Sequence, residues 1–204
     1  MTEHVSEQVR NPELQPEDAA RSGFYGLIAR LFYAAPDEGV LGALLNSSAF
    51  EGSAQPIAIA WRELVDAGRT ATPVVLENEH TELFVGTGRA EVTPYLTHYT
   101  IKYATDNPLV ELRQQLIHWG LARRENVNEP EDHIAGICET MRFAIAVQHR
   151  SDEEQSAFFE RFIFRGGVAF CDAVTASPKA VFYRCVAAFT RAFFEVEHEA
   201  FGML

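Results

Sequence analysis

The sequence predicts an all-α protein, a single globular bundle of roughly eight to ten helices. Apolar residues recur at helical spacing through most of the chain, and no segment alternates apolar and polar residues over the length of a strand. Prolines and glycines interrupt this period at positions typical of helix ends. The 204 residues, 47% of them apolar, suffice to bury one core without metal ions or disulfides.

The first half of the chain contains four predicted helices after a polar segment. Residues 1–16 include two prolines and predict a flexible N-terminal arm, so the helical domain spans residues 17–204. The helices are expected over residues 17–35, 37–45, 57–67 and 74–84, the third ending at Gly68. Their inward positions are Phe24, Leu27, Ile28 and Leu31, then Leu41 and Leu44, then Ile57, Trp61 and Leu64.

Residues 86–105 show neither a helical nor a strand period. The segment contains Gly86, Gly88 and Pro94 and is rich in aromatic and hydroxyl side chains. Connections of this length in compact domains are usually functional or disordered, and the aromatic content argues against disorder.

The second half is expected to be helical over residues 108–123, 131–148, 152–164 and 168–175, and again after residue 178. Gly166 and Gly167 predict a break or kink before residue 168. Ser177-Pro178 is expected to cap the last helix.

The helix predicted at residues 131–148 starts from an unusual polar segment. Asn128 can cap the free backbone N–H groups, Pro130 suits a first turn, and Glu131 completes a capping box. Asp132 and His133 are then expected to project from the first turn, away from the apolar stripe. A carboxylate and an imidazole in this position can bind a ligand or serve as ordinary cap chemistry, and the local sequence leaves both open.

Charge and composition limit the classes of partner and the cellular location that we expect for the protein. The formal net charge of −12 repels nucleic acids and anionic membranes and attracts basic peptides. No apolar run reaches the roughly 20 residues of a membrane span, and the N-terminus lacks signal-peptide features, so we expect a cytoplasmic protein. The three cysteines lie in apolar helical patterns and are expected to be core thiols.

Catalytic and metal-binding motifs are not evident. Nothing resembles a nucleophile elbow or a Cys-His pair in a catalytic context, so we predict that the protein is not an enzyme. The seven histidines show no ligand spacing supported by a helix or by cysteines, so neither a metal nor another cofactor is expected.

Two blocks of sequence resemble the TorD/DmsD (NarJ-like) family of redox-enzyme maturation chaperones. The first is Glu82-Leu83-Phe84-Val85-Gly86 followed by Thr93-Pro94-Tyr95-Leu96-Thr97-His98-Tyr99, and the second is Glu129-Pro130-Glu131-Asp132-His133. A helix of the expected length lies between them. The sequence departs from the family where Thr93 and Thr97 replace a common proline and serine, and where Phe162 to Gly166 replaces a frequent His-Leu-x-Pro-Trp stretch.

The resemblance implies a cytoplasmic chaperone that binds the twin-arginine signal peptide, the body, or both, of a molybdopterin-containing oxidoreductase and delays its export until the cofactor is inserted. The partners would be the apo-form of the catalytic subunit and its signal peptide, which brings two arginines beside an apolar segment. Carboxylates next to a hydrophobic groove would suit that peptide. The residues expected to form this site are Asp132, His133, Glu131, Pro130, Glu82, Leu83, Phe84, Pro94, Tyr95 and Tyr99.

The sequence is compatible with other interpretations. Leu83 and Phe84 can equally be core residues, because they end a helical apolar pattern. A sensor of a nucleotide or another small ligand, or an assembly adaptor without signal-peptide specificity, would fit the same helical pattern. A homodimer, including a domain-swapped one, is compatible with the long connections.

Overall fold

The computed structural model describes residues 14–47, 49–50, 52–86, 88, 90–103, 106–122 and 129–204. Within these residues the chain forms nine α-helices, two π-helical turns and one 3-10 turn, and no β-strand. The α-helices are α1 (Pro16–Tyr33), α2 (Glu38–Leu45), α3 (Pro56–Thr70), α4 (Pro73–His80), α5 (Pro108–His118), α6 (Ile134–Ala146), α7 (Asp152–Phe158), α8 (Arg165–Ala176) and α9 (Phe182–Phe201). The all-α prediction is confirmed; most of the predicted N-terminal arm, residues 1–13, lies outside the described residues.

The core forms where α1 packs along α6 and where α9 packs against α3 and α8. Aromatic rings connect these layers, as in Trp61 of α3 and Phe189 of α9, with ring centroids 4.9 Å apart. Cys138 and Cys171 are buried here as core thiols, and burial raises the pKa of both. Removing this apolar surface from water is the main source of stability.

A largely buried ion pair joins α1 to α9. Nε of Arg21 donates to Oε1 of Glu197 at 2.8 Å, and Nη2 donates to Oε2 at 3.0 Å. The hydroxyl of Tyr25 donates to the same Oε2 at 3.0 Å. Because Glu197 is only 3% exposed, its carboxylate depends on these three hydrogen bonds to replace lost hydration.

The predicted end of α3 at Gly68 is wrong, because this glycine serves close packing. The helix continues to Thr70. A Cβ atom on Gly68 would lie 3.2 Å from Cδ2 of Leu44, so the missing side chain allows α2 to approach α3.

Of the break or kink predicted at Gly166 and Gly167, the break is wrong. The chain stays helical from α7 through a π-helical segment, Phe159–Phe164, into the first turn of α8. A Cβ atom on Gly166 would lie 2.7 Å from the carbonyl oxygen of Leu96, and one on Gly167 would lie 2.6 Å from Cε2 of Phe194. Both glycines therefore let α8 contact neighbouring elements closely.

A side chain from another helix caps α9. The cap predicted at residues 177–178 is wrong, because α9 begins at Phe182. The carboxylate of Glu79, in α4, accepts the backbone N–H groups of Val181, Phe182 and Tyr183 at 2.8, 3.2 and 2.9 Å. It satisfies donors that a helix leaves free at its N-terminus and places negative charge at the positive end of the helix dipole.

Candidate functional site

The two blocks of sequence meet through their backbones. The N–H of Leu96 donates to the carbonyl of Asp132 at 2.9 Å, and the N–H of Ile134 donates to the carbonyl of Pro94, also at 2.9 Å. These two bonds form an isolated antiparallel bridge. The bridge fixes the 3-10 turn Leu96–Tyr99 against the start of α6.

Side chains reinforce the bridge on both of its sides. The rings of Tyr95 and His133, the paired residues, meet edge to face with centroids 5.7 Å apart. The hydroxyl of Tyr95 donates to Oε2 of Glu129 at 2.6 Å, and this bond raises the pKa of Tyr95 to about 12. The hydroxyl of Thr97 donates to Oδ2 of Asp132. Each residue of this group thus contacts the other block.

The start of α6 lies at Ile134, later than predicted, because His133 caps the helix. Nδ1 of His133 accepts the backbone N–H of Ala135 at 3.1 Å, so the neutral ring carries its proton on Nε2. The predicted capping box is wrong: Glu131 precedes the helix, and its Oε2 accepts from Nε of Arg113 at 3.0 Å. Asn128 lies outside the described residues.

Beside the bridge, a cleft of about 620 Å³ opens between α1 and α6. The end of α5, residues 121–122, residues 129–131 and His133 complete its walls. The lining is mostly apolar, and its apolar members include Ala29, Tyr33, Leu116, Leu121, Ala135 and Phe143.

Three glutamates place carboxylates in the lining of this cleft. Glu129 and Glu131 precede α6, and Glu139 lies on its second turn. Arg30 of α1 also lines the cleft, where Nη2 pairs with a carboxylate oxygen of Asp37 at 3.0 Å. Carboxylates beside an apolar surface suit a ligand that carries cationic and apolar groups next to each other.

A family model described as nitrate reductase delta subunit matches residues 51–172, a range that covers more than half of the chain and includes both blocks. The chain belongs to the nitrate reductase delta subunit family. This family consists of chaperones for the maturation of molybdoenzymes rather than catalysts, and its members act with subunits of nitrate-reductase-type molybdoenzymes. The predicted relationship to redox-enzyme maturation chaperones is confirmed.

The chain is similar to a solved structure from Archaeoglobus fulgidus, which is described as that of a redox enzyme maturation protein. The likeness covers 96% of this chain and 98% of that one, with a TM-score of 0.52 and 19% sequence identity. At this identity it shows the fold alone. No match is found among curated proteins. None of the described helices is long and apolar enough to cross a membrane.

Several of the predicted site residues lie at the cleft. Pro130, Glu131 and His133 line it directly. Tyr95 adjoins it, because its hydroxyl holds the carboxylate of the lining residue Glu129. The structure therefore brings together the second block and one aromatic residue of the first.

Asp132, in contrast, does not project from a helix as predicted. It is 3% exposed, its Oδ2 accepts from Thr97, and its Oδ1 has no hydrogen-bond partner among the described residues. The prediction placed Asp132 inside the first turn of α6, whereas the helix begins two residues after it. Its carboxylate connects the two blocks to each other and does not line the cleft.

The remaining predicted site residues lie away from the cleft lining. Leu83 and Phe84 are core residues, in agreement with the alternative interpretation, and Pro94 is also buried. Glu82 is exposed on a π-helical turn, Thr81–Val85, that contributes nothing to the cleft. Tyr99 is half-buried, and its hydroxyl donates to a backbone carbonyl at 2.9 Å.

Sequence reasoning missed the walls that α1 and the end of α5 contribute. Tyr33, at the end of α1, is exposed at the cleft, and Glu139 lies off the apolar stripe of α6. Gly26 and Gly136 are the sequence signal that could have indicated these walls. A glycine leaves a gap on the face of a helix, and both residues line the cleft.

Acidification is expected to destabilise the protein through its buried histidines. Burial lowers the pKa of His133 below its ordinary value of 6.5, and burial does the same for His80. The folded protein therefore binds fewer protons than the unfolded chain below about pH 6.5. The stabilising contribution is complete above that pH and is lost as the pH falls through the folded-state pKa of each ring.

Urea unfolding at about pH 7.5, 6.5 and 5.5 measures this loss, in a range where carboxylates remain ionised. His133→Asn keeps a good N-cap that does not titrate, so its free energy of unfolding should fall less steeply with pH. His80→Gln separates the contribution of the second ring. If the free energy of unfolding depends on pH identically in the wild type and in His133→Asn, His133 does not contribute to the loss of stability.

Proposed function

We propose that the cleft binds the twin-arginine signal peptide of a molybdoenzyme catalytic subunit and that the protein holds this client until its cofactor is inserted. The observation that supports the proposal is an apolar cleft bordered by Glu129, Glu131 and Glu139, directly beside the joined sequence blocks. Because the client is held before export, we propose that the protein acts in the cytoplasm.

The chemistry of such a peptide matches the cleft. Arginine guanidinium groups form paired hydrogen bonds with carboxylates, and the apolar segment that follows them can cover side chains such as Tyr33 and Phe143. Nε2–H of His133, left as a donor because Nδ1 caps α6, can bind a peptide carbonyl. The net charge of −12 favours the approach of a basic peptide.

A second groove fits this ligand less well. It has a volume of about 580 Å³, lies between α5 and α7, and contains no residue of either block. Arg161 lines it, paired with Glu111. Six of its ten lining residues are polar or charged, so it offers less apolar surface to the segment that follows the two arginines.

A calorimetric titration tests the proposal. The ligand is the twin-arginine peptide of the molybdoenzyme encoded nearest the gene, and a lysine-for-arginine version is the control peptide. We expect binding of micromolar affinity that the lysine version loses and that added salt weakens. Glu131→Gln should weaken binding about tenfold, because it removes a charge-assisted hydrogen bond, whereas Glu160→Gln, outside the cleft, should not.

Two results would contradict this function. Equal affinity for the arginine and lysine peptides would show that the carboxylates of the cleft do not recognise guanidinium groups specifically. Absence of binding to both would overturn signal-peptide recognition and leave the body of the client as the bound surface.

A further inference from the structure

We infer that two arginines of the protein itself, Arg113 and Arg142, occupy the carboxylates of the cleft in the client-free state and that arginines of the client displace them. The inference rests on the proposed function and specifies its regulation. It makes these two arginines determinants of affinity, because their ion pairs must open before the client can form its own.

The first pair joins α5 to the segment before α6. Nε and Nη2 of Arg113 lie 3.0 and 2.9 Å from Oε2 of Glu131. The side chain of Glu131 is 16% exposed, whereas that of Arg113 is 47% exposed. The carboxylate is therefore fixed in the wall of the cleft, and the arginine is the partner that can leave into water.

The second pair lies on α6, at the end of the cleft that α1 forms. Nε of Arg142 donates to Oε2 of Glu139 at 2.8 Å, and Nη2 contacts Oε1. The stem of Arg142 lies over Gly26 of α1, where a Cβ atom would come within 2.9 Å of its Cδ. Since Gly26 and Glu139 both line the cleft, Arg142 lies at its border.

Exchange between like groups explains why a binding site would hold its own cations. The largely buried carboxylate of Glu131 would be costly without a partner, and the guanidinium of Arg113 lowers that cost before a client binds. The pair of Glu139 and Arg142 is exposed on both sides and opens at little cost. A guanidinium of the client can reproduce the same fork of donors, which an ammonium cannot. The displaced Arg113 loses little, because a half-exposed ion pair contributes little in water.

A double-mutant cycle tests the exchange with the twin-arginine peptide as probe. Arg113→Gln is expected to bind the peptide about two- to fivefold more tightly than the wild type, because the ion pair between Arg113 and Glu131 no longer has to open. The same substitution in a Glu131→Gln background should leave the affinity unchanged, since the contested carboxylate is absent. Arg191→Gln removes an equal charge from an exposed pair with Glu195, away from the cleft, and corrects for net charge.

The outcomes separate this inference from the proposed function. Peptide binding by the wild type, with no more gain in Arg113→Gln than in Arg191→Gln, would overturn the exchange and leave the peptide site intact. An equal gain with and without Glu131 would also overturn it. Failure of every variant to bind would overturn the proposed function and, with it, the exchange. Circular-dichroism melting confirms that each variant is folded.

Discussion

Glu197→Ala is expected to lower the free energy of unfolding by about 3 kcal/mol, because it leaves the largely buried guanidinium of Arg21 with only the more exposed Asp18 as an ionic partner. Arg21 would lose both hydrogen bonds to the carboxylate, and the buried hydroxyl of Tyr25 would lose its acceptor. The contact joins α1 to α9, so its loss also loosens the packing of two central helices. Urea unfolding and calorimetry measure the change, and a drop in Tm of about 10 °C is expected for a chain of this size.

Glu195→Ala is the matched control on the same helix. Its carboxylate pairs with Arg191 at 2.9 Å, but both side chains are exposed, so the expected cost is below about 1 kcal/mol. Equal destabilisation by the two substitutions would show that burial of Glu197 does not increase its contribution to the free energy of unfolding.

Gly166→Ala is expected to destabilise the protein by about 2–3 kcal/mol through overpacking. Its Cβ would meet the carbonyl oxygen of Leu96 at 2.7 Å, and backbone cannot move aside as a flexible side chain can. The 3-10 turn that starts at Leu96 carries Thr97 and is bonded to Asp132, so a shift there should also weaken peptide binding. Urea unfolding and the peptide titration measure the two effects.

Gly23→Ala separates packing from helix propensity. This glycine lies in α1 with nothing within 4 Å of a built Cβ atom, so the substitution should stabilise the protein by about 0.5–1 kcal/mol. Opposite signs at Gly166 and Gly23 are the expected result. Stabilisation at both positions would mean that α8 can move away from Leu96 without cost.

The helical pattern predicted most of the fold, because apolar spacing reports burial directly. It failed at Gly68, Gly166 and Gly167, since a glycine at a close contact and a glycine at a helix end look alike in sequence. It also missed the cap of α9, because Glu79 reaches that helix from a distant part of the chain. Rules that consider only neighbouring residues cannot predict a capping residue from a distant part of the chain.

The candidate site was predictable only in part. The second block pointed to Glu131 and His133, which line the cleft. Asp132 was misplaced because a histidine, an uncommon N-cap, starts α6 after it. The contributions of Tyr33 and Leu116 arise only when α1 and α5 come together, a tertiary arrangement that periodicity cannot supply.

The π-helical segment Phe159–Phe164 has a consequence for the tolerance of this region to insertions and deletions. A π turn accommodates one residue more than an α-helical turn, and each residue rotates the following side chains by about 100° around the axis. Deleting a single residue within the segment would convert it to α-helix with nearly the same total rotation, so α8 would keep its phase. Gly166 and Gly167 would still face Leu96 and Phe194. A one-residue insertion would instead have to be absorbed by a wider turn or would rotate α8 by about 100°. We therefore expect this segment to tolerate a one-residue deletion better than an insertion.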